Sequence, residues 1–481
     1  MLLPMAPTDS LFLLGESREH PMHVGGLALF TPPDGTSAAD LREMFETALT
    51  GDRVTPLFRK RARRSLTSLG QWGWDTLADH QVDLGHHVRR DALPRPGGTD
   101  ELMALVSRLH GTLLDRSRPL WEMHLIEGLA DGRYAVYTKI HHALADGASA
   151  MNLLAGSLSA DPHRRHMPAP WQPQTHLTAV PTPHEPVQPM DSASGGGLSA
   201  ALDLPGLALR AGRTVAGEVA GLLPAAINTL DRAARGTGGA VSLTAPHTVL
   251  NGSIGGARQV AARTFPLERI RLLAKHADAT VNDIVLAMSA GTLRGYLHAR
   301  NALPADPLIA MVPVSLRPTD TESGGSAAGG NRVGVLMCNL ATHLPDPGHR
   351  LETVRDCMRE GKAALREMSP AQVLAMSALG AAPLGMELLL GRRGPLRPPF
   401  NVVISNVAGP RTPLYWNGAR LDALYPLSIP TTGQALNITC TSNDDQIAFG
   451  LTGCRSTLPD LNPMLDHLDT ELDTLERAVG L

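Results

Sequence analysis

The chain has 481 residues, 43% of them apolar, and 43 Lys and Arg set against 46 Asp and Glu leave a formal charge of −3. At about 100–200 residues per domain, that length predicts two or three domains, each able to bury a core. The near-neutral balance carries no signal for nucleic acid or for an acidic partner.

The opening stretch MLLPMAPTDS has no basic region, long apolar run or cleavage-like site, so no signal peptide is expected. Residues 1–160 mix short strands and helices. The densest basic cluster, Arg59 to Arg64, reads as a solvated helix face; contact with coenzyme A phosphates or anionic headgroups is the alternative. GRYAVYTKIHH (132–142) predicts a strand, rich in β-branched and aromatic residues with no internal breaker, and ASAMNLLAGSLS (148–159) predicts a helix.

Residues 161–197 carry eight prolines and end in a glycine run, a composition that predicts an exposed linker. After it, Val215, Val219, Leu222, Leu223, Ile227 and Leu230 recur at helical spacing, with Arg210, Arg213, Arg232 and Arg235 on the polar side. This is either a helix packed on a domain or one lying on a lipid surface. The expected division is therefore 1–160, a linker plus amphipathic helix over 161–245, and 246–481.

In the last segment, helices are expected over 266–277 and 281–300. Strands are expected at 308–316, 333–342, 400–407, 435–443 and 446–453, with a flexible loop at 319–332. Residues 368–391 are apolar but interrupted by Pro370, Gly380, Pro383, Gly385 and Glu387, so they predict a helical hairpin or surface element rather than a span. Cys338, Cys357, Cys440 and Cys454 have neither metal nor framework spacing and read as buried thiols in a reducing cytoplasm. Both outer segments read as α/β (α+β).

The stretch KIHHALADGASA (139–150) carries the chemistry. Neighbours on a strand point to opposite faces, so one of His141 and His142 faces a cleft while the other is held in packing. Asp146, just before a helix, would cap it or accept a salt bridge, and Gly147 would let the turn close. A histidine at a strand end beside a cleft is suited to general-base work. Two satisfied structural histidines are the rival reading. The His-His-x3-Asp spacing does not match a helical zinc motif, and no G-x-S-x-G elbow is present.

His141-His142-Ala143-Leu144-Ala145-Asp146-Gly147 resembles the HHxxxDG signature of the superfamily that includes chloramphenicol acetyltransferase, carnitine acyltransferases and condensation domains. APTDSLFLLGESREHPMHVGGLALF, RPLWEMHLIEGL, TVNDIVLAMSAGTLRGYL, VPVSLRP, GNRVGVLMCNLAT, NVVISNVAGP and LNITCTSNDDQIAFGLTGC are similar to the bacterial wax ester synthase/acyl-CoA:diacylglycerol acyltransferase family. The matches run in order to about Leu461. Ala408, where that family more often has Pro, and the lack of acidic residues near Cys454 are departures.

The resemblance implies two chloramphenicol-acetyltransferase-type domains with mixed sheets and an active-site tunnel at their interface. It implies transfer of a fatty acyl group from acyl-coenzyme A, a substrate rather than a cofactor, to diacylglycerol or a long-chain alcohol. His142 would be the base, His141 would shape the site, and Asp146 and Gly147 would support it. Asn282, either an oxyanion donor or a helix cap, and Asp283 form a second element. Pro119, Leu120 and Trp121 would support the site or line the acyl tunnel, or Trp121 would be core. The resemblance also implies peripheral attachment to the cytoplasmic face of a membrane or to lipid droplets. A related transferase with another acceptor, or a lipid-binding protein without turnover, are the alternatives.

Overall fold

In the computed structural model, residues 2–51, 53–64, 72–174, 242, 244–315, 333–368, 372 and 397–481 are described. The first half runs β1 (Leu2–Pro4), α1 (Pro7–Gly15), β2 (His23–Thr31), α2 (Ala38–Leu49), β3 (Lys60–Arg64), β4 (Trp72–Thr76), α3 (Leu84–His87), β5 (Val88–Ala92), α4 (Thr99–His110), β6 (Trp121–Glu127), β7 (Tyr134–His141) and α5 (Gly147–Gly156). The second runs β8 (Arg258–Pro266), α6 (Leu267–His276), α7 (Val281–His298), β9 (Ile309–Ser315), β10 (Val333–Asn339), α8 (Pro347–Arg366), β11 (Val402–Val407), β12 (Tyr415–Trp416), β13 (Ala419–Leu427), β14 (Leu436–Asn443), β15 (Gln446–Cys454) and α9 (Asn462–Ala478).

Two six-stranded mixed sheets organise these elements, in the orders β12-β13-β2-β7-β6-β5 and β10-β9-β11-β14-β15-β8. In the first, only β5 and β6 run parallel; in the second, β11 is parallel to both β9 and β14. β12 and β13, from the C-terminal third, continue the N-terminal sheet, so the chain returns to its first half before finishing its second. A three-stranded antiparallel sheet, β1-β4-β3, is separate from both.

Strict alternation sorts the first sheet's faces. Tyr134, Val136 and Ile140 of β7 enter one core with Phe30, Trp121 and Trp416, whereas Ala135 and Tyr137 enter another with Leu105 and Val106 of α4. Val260 of β8 joins that second core, and its amide donates to Ser107 Oγ at 2.9 Å. Thus α4 is wedged between the two sheets.

The second sheet packs against α7, which is buried along nearly its whole length. Thr280 caps it, and Asp283 returns a capping-box bond to the Thr280 amide at 2.8 Å. Gly291 lies mid-helix, normally unfavourable by about 1 kcal/mol. Here a Cβ would overlap the Glu471 carboxylate of α9. Close helix approach around the buried Glu471–Arg350 pair explains that glycine.

Several sequence expectations are corrected. Arg59–Arg64 is mainly the strand β3 rather than a helix face: alternation buries Ala62 while Arg61 and Arg63 turn to Asp75 at 2.6 and 3.7 Å. Residues 161–174 are not simply exposed linker. Met167, Ala169 and Trp171 are buried in the N-terminal core, and the Trp171 carbonyl accepts from the Thr55 amide at 2.9 Å. The proline-rich composition hid one large apolar anchor. The rest of the 161–197 linker, the amphipathic helix after it and the 319–332 loop lie outside the described residues, as does nearly all of 368–391. All four cysteines are buried thiols.

Candidate functional site

The site grows from the end of a clamped central strand. β7 lies between β2 and β6, with His141 opposite His23 and Ile140 opposite Trp121. Past the last paired residues the clamp continues: the His141 amide donates to Leu120 O at 3.0 Å, and the His142 amide donates to Met22 O at 2.9 Å. The two histidines are thereby set with backbone bonds to opposite sides. The chain then turns, with the Leu144 amide donating to His141 O at 2.8 Å, and α5 begins.

His141 is fully buried. Its Nδ1 accepts from the Ala143 amide at 3.1 Å, so its ring proton belongs on Nε2, which lies 3.3 Å from Glu16 Oε1. Arg116 holds the other Glu16 oxygen, Nε to Oε2 at 2.7 Å, and donates to Leu13 O at 2.8 Å. Burial by itself would raise the Glu16 carboxyl; His141 and Arg116 outweigh it and hold the group below its ordinary value. His141 is therefore the member held in packing.

His142 is half-buried and stacks on Phe12, ring centroids 4.0 Å apart and planes 19° from parallel. Desolvation pushes its pKa down to about 4, although Asp146 pulls the other way. The imidazole is therefore neutral across the physiological range and open to accept a proton. The ring should therefore stay unprotonated from neutrality to roughly pH 5 and take up a proton as pH drops through about 4, which an NMR titration of the His142 ring protons measures. A midpoint near the ordinary histidine value would contradict this environment.

Asp146 caps α5, its Oδ1 accepting from the Ser149 amide at 2.7 Å. This meets the capping half of its sequence expectation. Gly147 departs from expectation. Its φ is not positive, and a Cβ there would meet none of the chain's own atoms within 4 Å, so turn closure does not require it.

Pro119, Leu120 and Trp121 enter and begin β6. Leu120 supplies the carbonyl that receives the His141 amide. Trp121 is core: fully buried, its Nε1 donates to Phe58 O at 2.8 Å, and it stacks on His87 at 4.5 Å. Asn282 and Asp283 lie in the first turn of α7, on the other sheet's helix. The expected capping role of Asn282 is corrected, because Thr280 takes it; Asp283 Oδ1 is buried without a hydrogen bond.

Behind His141, on the same face of β7, lies a polar layer. The Lys139 ammonium is fully buried and reaches Glu122 at 3.0 Å, Thr112 O at 3.0 Å and Leu109 O at 3.2 Å. His124 connects Asp91 at 2.8 Å and Glu122 at 3.7 Å. Next to it, His110 Nε2 donates to Ser428 O at 3.0 Å while Tyr137 Oη donates to its Nδ1 at 2.8 Å. The second half of the chain thus braces the strand that carries the motif. Among the described residues, no His, Cys, Asp and Glu group is arranged to hold a metal ion.

Sequence reasoning missed Phe12, Glu16 and Arg116 as site residues. Phe12 and Glu16 lie in FLLGE, a stretch that carried part of the family resemblance, but their pairing with positions more than a hundred residues away has no periodic signature.

Residues 5–285 match the wax ester synthase/diacylglycerol acyltransferase catalytic domain, and 329–476 match the C-terminal domain of that family. The chain belongs to this family. Two Mycobacterium tuberculosis (strain ATCC 25618 / H37Rv) family members, provisionally named diacylglycerol O-acyltransferases, are 52% identical over 478 residues and 46% identical over 477. The alignments cover 99% of this chain and 91% and 99% of those relatives. The wax ester synthase/diacylglycerol acyltransferase from Marinobacter aquaeolei VT8 superposes with a TM-score of 0.76 at 40% identity, covering 100% of both chains. The first condensation domain of the calcium-dependent antibiotic synthetase shares the fold, with a TM-score of 0.54 at 16% identity over 100% of this chain and 97% of that one.

Proposed function

We propose that this protein transfers a fatty acyl group from acyl-coenzyme A to the free hydroxyl of diacylglycerol, with His142 as the general base. His142 takes the hydroxyl proton as the acceptor oxygen attacks the thioester carbonyl. The tetrahedral adduct collapses, the C–S bond breaks, and the proton passes to the departing thiolate. The products are triacylglycerol and free coenzyme A; no acyl-enzyme and no cofactor are needed.

The observation that carries this reading is the single His142 environment: a neutral imidazole at the end of a clamped strand, oriented by the Phe12 stack. His141, tied to Glu16, acts as a positioning residue, with Asp146 ordering the helix that follows. The names of the mycobacterial relatives support diacylglycerol as acceptor. The Marinobacter relative's name supports a second reading, a long-chain alcohol acceptor and wax ester product. Water-insoluble acceptors place the enzyme at the cytoplasmic face of a membrane or at lipid inclusions as a peripheral protein. No helix among the described residues is long and apolar enough to cross a membrane.

The test is thiol release from palmitoyl-coenzyme A, with dipalmitoylglycerol or hexadecanol as acceptor and the lipid products separated. Acceptor-dependent release with triacylglycerol as the main product is expected. Predominant wax ester would select the second reading, and absence of release with either acceptor would overturn both.

A further inference from the structure

Isolated exposed leucines are ordinary on protein surfaces; their concentration here is not. Of the six large apolar side chains exposed among the described residues, three fall within the first 14: Leu3 at 40%, Leu11 at 63% and Leu14 at 51%. Leu11 and Leu14 are three residues apart and so share one face of α1. The next residue along from Leu11 is Phe12, whose ring stacks on His142. One short helix therefore braces the candidate base on one side and presents leucines to the surroundings on another.

Beside this helix is a cationic edge. β1, which leads into α1, belongs to the same three-stranded sheet as β3. The Asp9 carboxylate of α1 acts on the Lys60 charge of β3, which places the two elements side by side. Among the described residues, Arg59 pairs with Asp79, Arg61 and Arg63 share Asp75, and Asp9 acts on Lys60, so the five cations of Arg59–Arg64 are set against three carboxylates in these contacts. Arg63 is 63% exposed, and Arg64 is exposed with its guanidinium 4.6 Å from the centroid of the Trp72 ring. An exposed apolar helix face bordered by surplus arginines suits a surface whose interior is hydrocarbon and whose rim is anionic.

We propose that this N-terminal corner, α1 with the β1-β4-β3 sheet, is where the protein docks on a bilayer or lipid monolayer bearing anionic headgroups. Leu3, Leu11 and Leu14 enter the acyl boundary, and Arg63 and Arg64 meet the headgroups. Docking on this face puts His142, one ring behind the helix, next to the phase that holds the acceptor. The inference rests on the lipid-acceptor reading above and adds the surface that reaches it.

Co-sedimentation of the full chain with phosphatidylcholine vesicles, with and without phosphatidylglycerol, tests it. The Leu11→Ser/Leu14→Ser double variant should partition at least ~10-fold more weakly to both vesicle types. Arg63→Gln/Arg64→Gln should lose only the added binding that phosphatidylglycerol confers, and that loss should shrink with salt. Turnover of vesicle-embedded diacylglycerol should fall in step with partitioning. Thiol release with a short, water-soluble alcohol should stay at the wild-type rate, which also reports that the variants are folded. Wild-type partitioning of the leucine variant, or a wild type that does not sediment with either vesicle, overturns the docking surface. A wild type that binds through these leucines but releases no thiol with any acceptor supports docking while overturning the acyl-transfer reading.

Discussion

His142→Ala should lower acceptor-dependent thiol release by about 10²- to 10⁴-fold while leaving the fold intact. The side chain is only half-buried, its ring stacks on Phe12, and the strand clamp uses its backbone amide, which alanine keeps. The variant should therefore unfold at a denaturant concentration close to wild type while its kcat collapses. Residual turnover is expected, because holding two long substrates together retains much of the advantage. The informative comparison is kcat against KM. A base acts in the transition state, so kcat and kcat/KM should fall together, with KM nearly unchanged. A rise in KM alone would make His142 a binding residue. Unchanged turnover would return both histidines to a structural role.

Glu122→Ala should cost about 3–5 kcal/mol of folding stability, the range for leaving one member of a buried ion pair uncompensated. Lys139 has no solvent exposure, and two backbone carbonyls only partly replace a carboxylate 3.0 Å away. Burial by itself would raise the Glu122 carboxyl, but His124 and Lys139 outweigh it and hold it at about 2. A depressed carboxylate contributes fully above its ordinary range. That contribution is lost as pH falls from there towards about 2. The double variant Glu122→Leu/Lys139→Met removes both charges and should recover most of the loss, since a buried pair is often no better than well-packed apolar residues. Urea titrations of the two variants and wild type measure this. Additive losses in the double variant would refute the coupling. Because Lys139 is two residues before His141 on the same face of β7, the single variant should also lose activity below its unfolding midpoint.

Local signals were readable along the chain. The alternation of GRYAVYTKIHH predicted β7, and the apolar spacing after Thr280 predicted α7, because period-two and helical patterns are written in neighbouring residues. The double histidine followed by Asp and Gly marked the site, and opposite-facing neighbours implied that one imidazole would be locked and one available. In the structure His141 is fully buried beside Glu16, and His142 is half-buried against Phe12. Asp146 was legible as a cap because capping is a three-residue interaction.

What only the tertiary structure decided involves long separations. Glu16 and Arg116 meet across a hundred positions to hold His141, and Phe12 meets His142 across more still. No local pattern encodes such pairs, since they depend on α1 folding back over the end of β7. Trp171 was concealed within a proline-rich stretch, and the basic run at Arg59 became mainly a strand because alternation buried Ala62 against the core. β12 and β13 complete the N-terminal sheet because an open edge beside β2 offers backbone partners that composition cannot foresee. The sequence by itself determined the elements and the chemistry-bearing residues. Three-dimensional packing determined their surroundings, and through desolvation and long-range ion pairs it left His142 neutral and His141 tied to Glu16.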